Sequence, residues 1–546
     1  MEKKDANKRF DGLKQEYESK GWLASHKEIS KYICPNRGCF NGIPNDGKMI
    51  DHKVILDATG ISANETLASG IASTLTSEAH PFFRIGLQDR ELAEFRTVRP
   101  YLSAVQDIIY SILSRSNFYG AGHSMYEELG GFATGAVGQF EDYYTVTRFQ
   151  NFTVGEFYLG VDIRGKVDKF AREYQQTVEQ VVKDFGIDNV SIETQNKYNN
   201  KNLDQYITIR HLIIPNTERI SGKIDNRNMG WRSYKWEVSN QDEKYLSVSG
   251  FEEFPIHAPR WGVVGTSSVY GKGPGWKALG DVKMLQVLQK DKLLALAKLN
   301  DPPVRTNGRD RPNTLPGGIN FNIQDGSLAP LYQINPDIQA IENTIFKTQQ
   351  KIDSHFYKDL FLMMVNDDRS GVTAREVAER HEEKLIQCGP FIHKIKDEFL
   401  DPSINRTYNI ALRAGKLPPP PEEIQGMELK IEYISVLAQA QKMVGTTAIE
   451  QHTRFVGTIA AIKPEVLDII NWDKAAVRYG EMVGSDDIIR SKEEIAEIRQ
   501  AAQKAAEQAQ MQQAVGNAVQ GAKVLSDTPV GQNSALDALM GTGGQS

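Results

Sequence analysis

Cysteine is nearly missing from this sequence, at 3 in 546 residues. Three thiols cannot build a disulfide framework, so assembly in a reducing compartment is expected. Cys34 and Cys39 are spaced C-x4-C with no second Cys/His pair nearby. A structural zinc needs four ligands, so these two read as small, semi-buried side chains. Long apolar runs are missing as well. No window approaches the ~18 uninterrupted apolar residues of a membrane helix, and the richest stretch, Leu293-Leu294-Ala295-Leu296-Ala297, lies between Lys292 and Lys298. The opening Met1-Glu2-Lys3-Lys4-Asp5 has no apolar segment behind it, which argues against a secretory signal. Nor is there an excess of positive charge: 64 Lys and Arg against 70 Asp and Glu leave −6. That excludes a protein whose main task is to grip nucleic acid, though not one that touches it in passing.

Enzyme signatures are also missing. The glycine cluster from Gly262 to Gly275 suggests a phosphate loop, but the Walker spacing requires Gly where Thr266 stands. Gly273 occupies the place of the magnesium-ligating Ser or Thr, and Pro274 has no N–H for a phosphate cradle. A structural turn feeding a helix is the expectation there. Gly122-His123-Ser124-Met125-Tyr126 starts like a nucleophile elbow but lacks its closing glycine. His381, Glu382, Glu383 and His393 do not share the H-E-x-x-H spacing. No catalytic residue, cofactor or metal site is expected.

Apolar residues at 40% and charged residues at 25% describe a soluble globular chain, long enough for several folding units. Residues 10–33 read as a helix. Ser62-Ala63-Asn64-Glu65 reads as a capping box opening a helix to about Ser77, small on one face through Ala63, Ala68, Gly70, Ala72 and Ser73. Another helix over 98–117 carries Leu102, Val105, Ile109 and Leu113 as one stripe. Strands are expected at Phe140–Val146, Val154–Ile163, from Ile207 and at Trp231–Val238, with a helix Tyr174–Phe185 closed by Gly186. The first 260 residues or so thus make an α+β body.

Residues 276–299 form a strong helix pattern, with Val282, Leu285, Leu288, Leu296 and Leu299 near one face and Asp301-Pro302-Pro303 as its stop. Residues 302–334 are rich in Pro, Gly, Asn and Arg, with β-prone pieces at Pro303–Thr306 and Ile319–Ile323. A second long helix is expected over 336–362, with Ile338, Ile341, Ile345, Ile352, Phe356 and Leu360 in phase. Together they predict an antiparallel pair with something mounted at its tip. A polar loop over 362–371 follows, then a capping box at Thr373–Glu376, a helix broken at Cys388-Gly389-Pro390, another helix to Ala414 and the stiff spacer Pro418–Pro421. No aromatic residue follows Tyr479. The Ala/Gln/Glu/Lys-rich stretch 491–522 has high helix propensity and little to bury, which suits packing against copies of itself. The tail from Ser526 to Ser546 reads as mobile.

Several stretches carry a resemblance. They are Val154-Gly155-Glu156-Phe157-Tyr158 through Gly165; Gly250 to Pro255 with Arg260-Trp261 and Tyr270 to Gly275; Gly371 to Val377; Gly415 to Pro420; and Ile431 to Gln441. In this order they resemble the head-to-tail connector (portal) proteins of short-tailed double-stranded DNA bacteriophages, over roughly 150–475. The resemblance implies a mostly helical α+β portal fold assembled as a homo-oligomeric ring, usually of twelve subunits, at one capsid vertex. It also names the parts: a wing over 1–270 and 372–480, a stem at 276–299 and 336–362, a clip at 302–334, a channel loop at 362–371 and a crown at 481–525. The implied partners are double-stranded DNA read without sequence specificity, the terminase packaging motor, scaffolding and major capsid proteins and a tail adaptor. The implied place is the virion, after assembly in the host cytoplasm.

On that map Asn366, Asp367, Asp368 and Arg369 are the expected loop nearest DNA, with an ordinary solvated turn as the alternative. Arg305, Arg309 and Arg311 would meet the motor or adaptor, or form inter-subunit salt bridges. Lys351 and Lys358 would face the lumen or the neighbouring subunit. Neutralising 6–10 phosphates per site would hold DNA with a salt dependence of about 10³–10⁵. A slightly acidic channel avoids that retention. Two other readings remain: another structural phage component of tail or capsid, and a nucleotide-binding enzyme using Gly262–Gly275.

Overall fold

The chain reverses direction where a single N-terminal helix was expected. The computed structural model has α1 (Lys3–Ser19) and α2 (Trp22–Tyr32) in place of one helix over 10–33. Gly21 between them takes φ +78°, open to glycine and costly for other residues. The reversal brings the Tyr17 hydroxyl to 2.8 Å from His26 Nδ1. The structure describes residues 1–300, apart from loop positions within 41–50, 90–96, 221–227 and 240–243. Beyond these it describes 304–306, 313, 328–330, 337–365, 389–425, 429–433, 449–460, 462–483 and 492–526.

Helix α3 (Thr59–Leu75) begins before the expected capping box, so Ser62 and Glu65 lie inside it. Asp57 sits at its start instead, with Oδ1 accepting from the Thr59 amide (2.9 Å) and hydroxyl (2.5 Å). Its small face allows close approach: a Cβ on Gly70 would lie 2.3 Å from the Phe361 ring. Helix α4 (Val98–Arg115) buries the expected Leu102, Val105, Ile109 and Leu113. Ser124 lies within helix α5 (Phe118–Phe132), not on a strand-to-helix turn.

Strands β4 (Ala136–Asp142) and β5 (Val146–Phe152) form a hairpin, with β11 (Ile256–His257) on the other side of β4. The turn falls at 143–145, inside the expected strand Phe140–Val146, because Asp142 Oδ2 accepts from the amides of Tyr144 and Thr145. The next expected strand shortens to β6 (Phe157–Val161). It edges a five-stranded antiparallel sheet in the order β10-β9-β8-β7-β6, formed with β7 (Val167–Thr177), β8 (Tyr206–Pro215), β9 (Trp231–Glu237) and β10 (Ser247–Phe251). Helix α6 (Val178–Phe185) starts four residues later than expected, at a capping box made by Thr177 and Gln180. With α7 (Ile192–Asn199) it covers a small separate cluster of Val178, Val181, Val190, Ile207, Ile209 and Leu246.

The main core runs from Phe10 and Tyr17 on α1 through α3, α4 and α5 to Phe399. Late segments return to complete it. Helix α11, over 389–413, contains a π-turn at Lys396–Leu400, and Thr407 on it accepts a 2.8 Å bond from Gln139. Strand β14 (Leu429–Tyr433) pairs antiparallel with β3 (Phe83–Leu87). Residues Met1–Val444 form one compact unit and Gly445–Ser546 a second. The second holds α12 over 449–460, α13 (Trp472–Val483) and α14 (Lys492–Ser526), the last where the Ala/Gln-rich composition predicts a helix. No helix among the described residues is long and apolar enough to cross a membrane.

Candidate functional site: the long helix pair

Helix α8 (Pro274–Asn300) has 27 residues and is about 40 Å long. Asp301-Pro302-Pro303 follows it in the sequence. Helix α9 (Ile338–His355) runs antiparallel to it, as the ion pairs show. Lys292 near the far end of α8 meets Glu342 at 2.8 Å, and Asp281 near its start meets Lys351 at 3.2 Å and His355 Nε2 at 3.1 Å. The expected in-phase residues Val282, Leu285, Ile345 and Ile352 are buried between the pair and the body, while Leu299 is 41% exposed. Between the two helices, β12 (Val304–Thr306) pairs with β13 (Leu328–Pro330), Arg305 opposite Ala329 in the backbone register.

The expected single helix over 336–362 is broken. Tyr357 takes φ +55°, a conformation rare for a residue with a bulky side chain, and α10 (Lys358–Val365) leaves in a new direction. Aromatic stacking holds the break: Trp261 lies on Phe391 at 4.2 Å between ring centroids, and Tyr357 lies 6.1 Å from Trp261. Residues 362–365 are therefore helical and not part of a loop.

Amides fasten the pair to the body. Gln286 Oε1 accepts from the amides of Leu56 and Asp57 at 2.7 and 2.9 Å, and its Nε2 donates to the Asp57 carbonyl at 2.9 Å. Asp57 Oδ2 then accepts from Gln289 (2.9 Å) and Gln349 (2.8 Å), one from each long helix. Burial alone would raise the Asp57 carboxyl. Hydrogen bonds from Thr59, Gln289 and Gln349 outweigh it and hold the group below its usual range.

The outer side of α8 is different. Trp276, Met284, Val287 and Leu294 recur at helical spacing on the face opposite the buried residues, and they are 38%, 43%, 57% and 49% exposed. Phe346 on α9 is 59% exposed. A helix apolar on two opposite faces is built to be covered on both.

Of the residues singled out from sequence, Lys351 is paired with Asp281, and Lys358 lies on α10 beside Asp353 at 3.1 Å. The break at Tyr357 puts these two lysines on different helices. Asn366, Asp367, Asp368, Arg369, Arg309 and Arg311 lie outside the described residues, as do the capping box at 373–376 and the stretch 319–323. Sequence reasoning missed Asp57, Asp281, Gln286, Gln289 and Gln349. Two glutamines one turn apart beside a buried leucine stripe were a usable signal; Asp57, 229 residues from Gln286, gave none.

The Gly262–Gly275 cluster serves backbone packing. A Cβ on Gly271 would lie 2.4 Å from the Ala133 carbonyl oxygen, and one on Gly275 2.2 Å from that of Gly131. Lys272 Nζ lies over the Trp276 ring at 4.6 Å. Gly271 and Gly275 face the chain's own carbonyls, which would repel a phosphate.

A long antiparallel helix pair with a short sheet between its helices, fastened to an α+β body and apolar on its free side, is the arrangement to be placed among known proteins. The model of the family described as bacteriophage head to tail connecting protein matches residues 3–489, and the chain belongs to that family. A relative described as portal protein, from Salmonella phage epsilon15, is 38% identical over 533 residues, covering 96% of this chain and 95% of its own. A probable portal protein of Bordetella phage BPP-1 is 37% identical over 514 residues, covering 93% of this chain and 92% of its own. Two solved structures are similar at a TM-score of 0.33 and 10% identity. One is the neck of an empty GTA particle (75% of this chain, 88% of that one) and the other the virion of a native gene transfer agent particle (83% and 98%).

Proposed function

We propose that this chain is the portal subunit of a bacteriophage. Copies of it assemble into a ring, twelve on the family pattern, at one capsid vertex, and double-stranded DNA is packaged and ejected through the ring. The observation that carries this reading is the uncovered apolar face of α8, where Met284, Val287 and Leu294 are left to water in the single chain. A neighbouring copy would cover it, and the same logic applies to Phe455, Ile462, Ile469 and Trp472, exposed at 63%, 89%, 74% and 44% in the second unit.

In this reading α8 and α9 form the stem and 302–334 the clip, where Arg305, Arg309 and Arg311 face the terminase motor, the tail adaptor or the next subunit. Residues Asn366, Asp367, Asp368 and Arg369 form the loop nearest DNA, and the C-terminal helices form the crown. Scaffolding and major capsid proteins hold the outer body, in a virion assembled in the host cytoplasm. The net charge of −6 suits a wall that lets a polyanion slide.

Negative-stain imaging and sedimentation of the purified chain test the proposal: rings with an axial hole are expected. Val287→Lys with Leu294→Lys should leave the circular dichroism spectrum intact and abolish the rings. A monodisperse monomer at high concentration, or rings undiminished in the double variant, would sink it. Asp367→Ala with Asp368→Ala tests the loop separately, since it should spare ring assembly and alter DNA packaging or retention. If both stay normal, the loop assignment fails.

A further inference from the structure

Within the unit Met1–Val444 the described large apolar side chains most open to water gather in two places. Tyr143 and Tyr144, 95% and 90% exposed, tip the β4–β5 hairpin, while Ile163 and Val264, 95% and 82% exposed, cap two neighbouring turns. Only Met49, also at 82% and just past the short hairpin of β1 (Cys39–Phe40) and β2 (Ile43–Pro44), is comparable.

Both places are rigidly built. At the hairpin tip Asp142 Oδ2 accepts from the Thr145 hydroxyl at 3.0 Å as well as from the two amides. Val146 beside it takes φ +69°, which a β-branched residue rarely adopts. The two tyrosine rings meet edge to face, 5.5 Å between centroids. Glu141 is already paired with Arg413 at 3.0 Å, so the tip offers ring faces and hydroxyls. At the other place, the β6–β7 turn over 162–166 is closed by Asp162 Oδ1, which accepts from the amides of Arg164 and Lys166 at 2.8 Å each. A Cβ on Gly165 would lie 3.0 Å from the Thr266 carbonyl oxygen, so this turn touches the loop that carries Val264.

The second place is positive. Arg164, Lys166 and Lys272 are exposed there, and none has a carboxylate partner among the described ion pairs. The chain has no Asp or Glu between Glu253 and Asp281, and Asp168 is offset by Lys169. Lys272 belongs to this surface because its amide donates to the Gly262 carbonyl at 2.8 Å. Its ammonium, over the Trp276 ring, joins the surface to the uncovered face of α8.

The two places complement each other and cannot meet within one chain. Aromatic ring faces are negative and attract unpaired cations, and the rings bury β-branched side chains. Strand β4 leaves Arg260 at the Thr134–Arg260 bridge and ends at Asp142, so at 3.3–3.4 Å per residue the tip stands about 20 Å from the turns.

We propose that the Tyr143–Tyr144 tip of one copy of this chain seats on the Ile163–Val264 patch of the next. Contact between two different surfaces of identical chains runs head to tail and closes into a ring where the rotation allows. It rests on the ring-forming reading above, and adds to the covered face of α8 a second place where copies meet.

Tyr143→Cys with Val264→Cys in one chain tests the contact, with a short bismaleimide added to the assembled protein. Ladders beyond the dimer are expected on a denaturing gel, while either single variant and the wild type stay monomeric there. Separately, Tyr143→Ser with Tyr144→Ser, and Arg164→Glu with Lys166→Glu, should each raise the concentration of half assembly at least tenfold in sedimentation, with circular dichroism unchanged. Wild-type rings alongside unlinked double-cysteine chains, or unchanged assembly in both surface variants, would overturn the contact and leave the ring standing. Cross-linking in a single-cysteine variant would mean that like surfaces meet, and would overturn it too. Wild-type chains that stay monomeric at high concentration would overturn both.

Discussion

Replacing Glu398 by glutamine should be among the most damaging single-atom changes in this protein. Glu398 sits on the π-turn of α11 and grips Arg260, which is 1% exposed. Its two oxygens take the Arg260 Nη2 at 2.5 Å, Nε at 3.2 Å and backbone amide at 2.9 Å. The guanidinium also donates to the Ser268 carbonyl (3.0 Å) and the Gly165 carbonyl (2.7 Å), tying two surface turns to the helix. Glu398→Gln keeps the shape and removes the charge, leaving a buried cation uncompensated, which costs about 3–5 kcal/mol. The unit Met1–Val444 unfolds with an entropy of about 0.9 kcal/mol/K, so its thermal midpoint should fall by about 3–5 °C. Calorimetry reads this, and hydrogen exchange should show faster opening near 165 and 268. A double-mutant cycle with Arg260→Met should give a coupling of at least ~2 kcal/mol. A midpoint shift below about 1 °C, or a coupling below ~0.5 kcal/mol, would refute the argument that charge compensation holds these turns.

Four further predictions concern pH and packing. His26 and His257 are held neutral by burial, each pushed down to about 3, and His211 is also lowered by burial. The unfolded chain takes up these protons below about pH 6.5, so stability is full above that pH and should fall on acidification by about 1.4 kcal/mol per unit for each histidine; denaturant midpoints across pH 7 to 4 in wild type and His26→Phe measure one share. Asp57 acts lower on the scale: its depressed carboxyl contributes above the unfolded value of about 3.9 and loses that contribution as pH falls through the folded one. The stability gap between wild type and Asp57→Asn should therefore close below about pH 4, and a gap constant with pH would count against the Gln289–Asp57–Gln349 bonds. Gly271→Ala meets the Ala133 carbonyl and should cost about 2 kcal/mol or more. Gly280→Ala, in a helix interior with nothing within 4 Å, should raise the thermal stability by about 0.5–1 kcal/mol.

Local chemistry was the legible part of this fold. The α4 stripe, the strands from Ile207 and from Trp231, the Gly186 stop and the Ala/Gln-rich helix all follow from spacing and composition within a few residues. Errors came where two signals competed. Ser62 and Glu65 have capping-box spacing but lie within a run of small helix-compatible residues, and the helix starts earlier, at Thr59, whose amide donates to Asp57. Tyr143 and Tyr144 favour strand, yet Asp142 folds them into a turn. Thr177-Val178-Glu179-Gln180 was a capping box open to reading, and it marks the α6 start at Val178, four residues after the expected Tyr174. The break at Tyr357 was illegible, because the aromatic partners that stabilise it, Trp261 and Phe391, are remote in the chain. The site residues divide the same way. Lys351 was found by its place on a helix, whereas its partner Asp281 becomes visible only once the two helices are paired.

The pairing of β3 with β14 sets a timetable for synthesis. Leu87 emerges from the ribosome roughly 340 residues before its partner Leu429. At 5–20 residues per second that interval is about 17–70 s. Throughout it the β3 edge has no partner, and within it Gln139 awaits Thr407 and Arg260 awaits Glu398. The body therefore closes late, only once residue 433 has emerged. A nascent chain of this protein should depend on holding chaperones, and truncation anywhere before residue 433 should yield an aggregating product and not a smaller folded one.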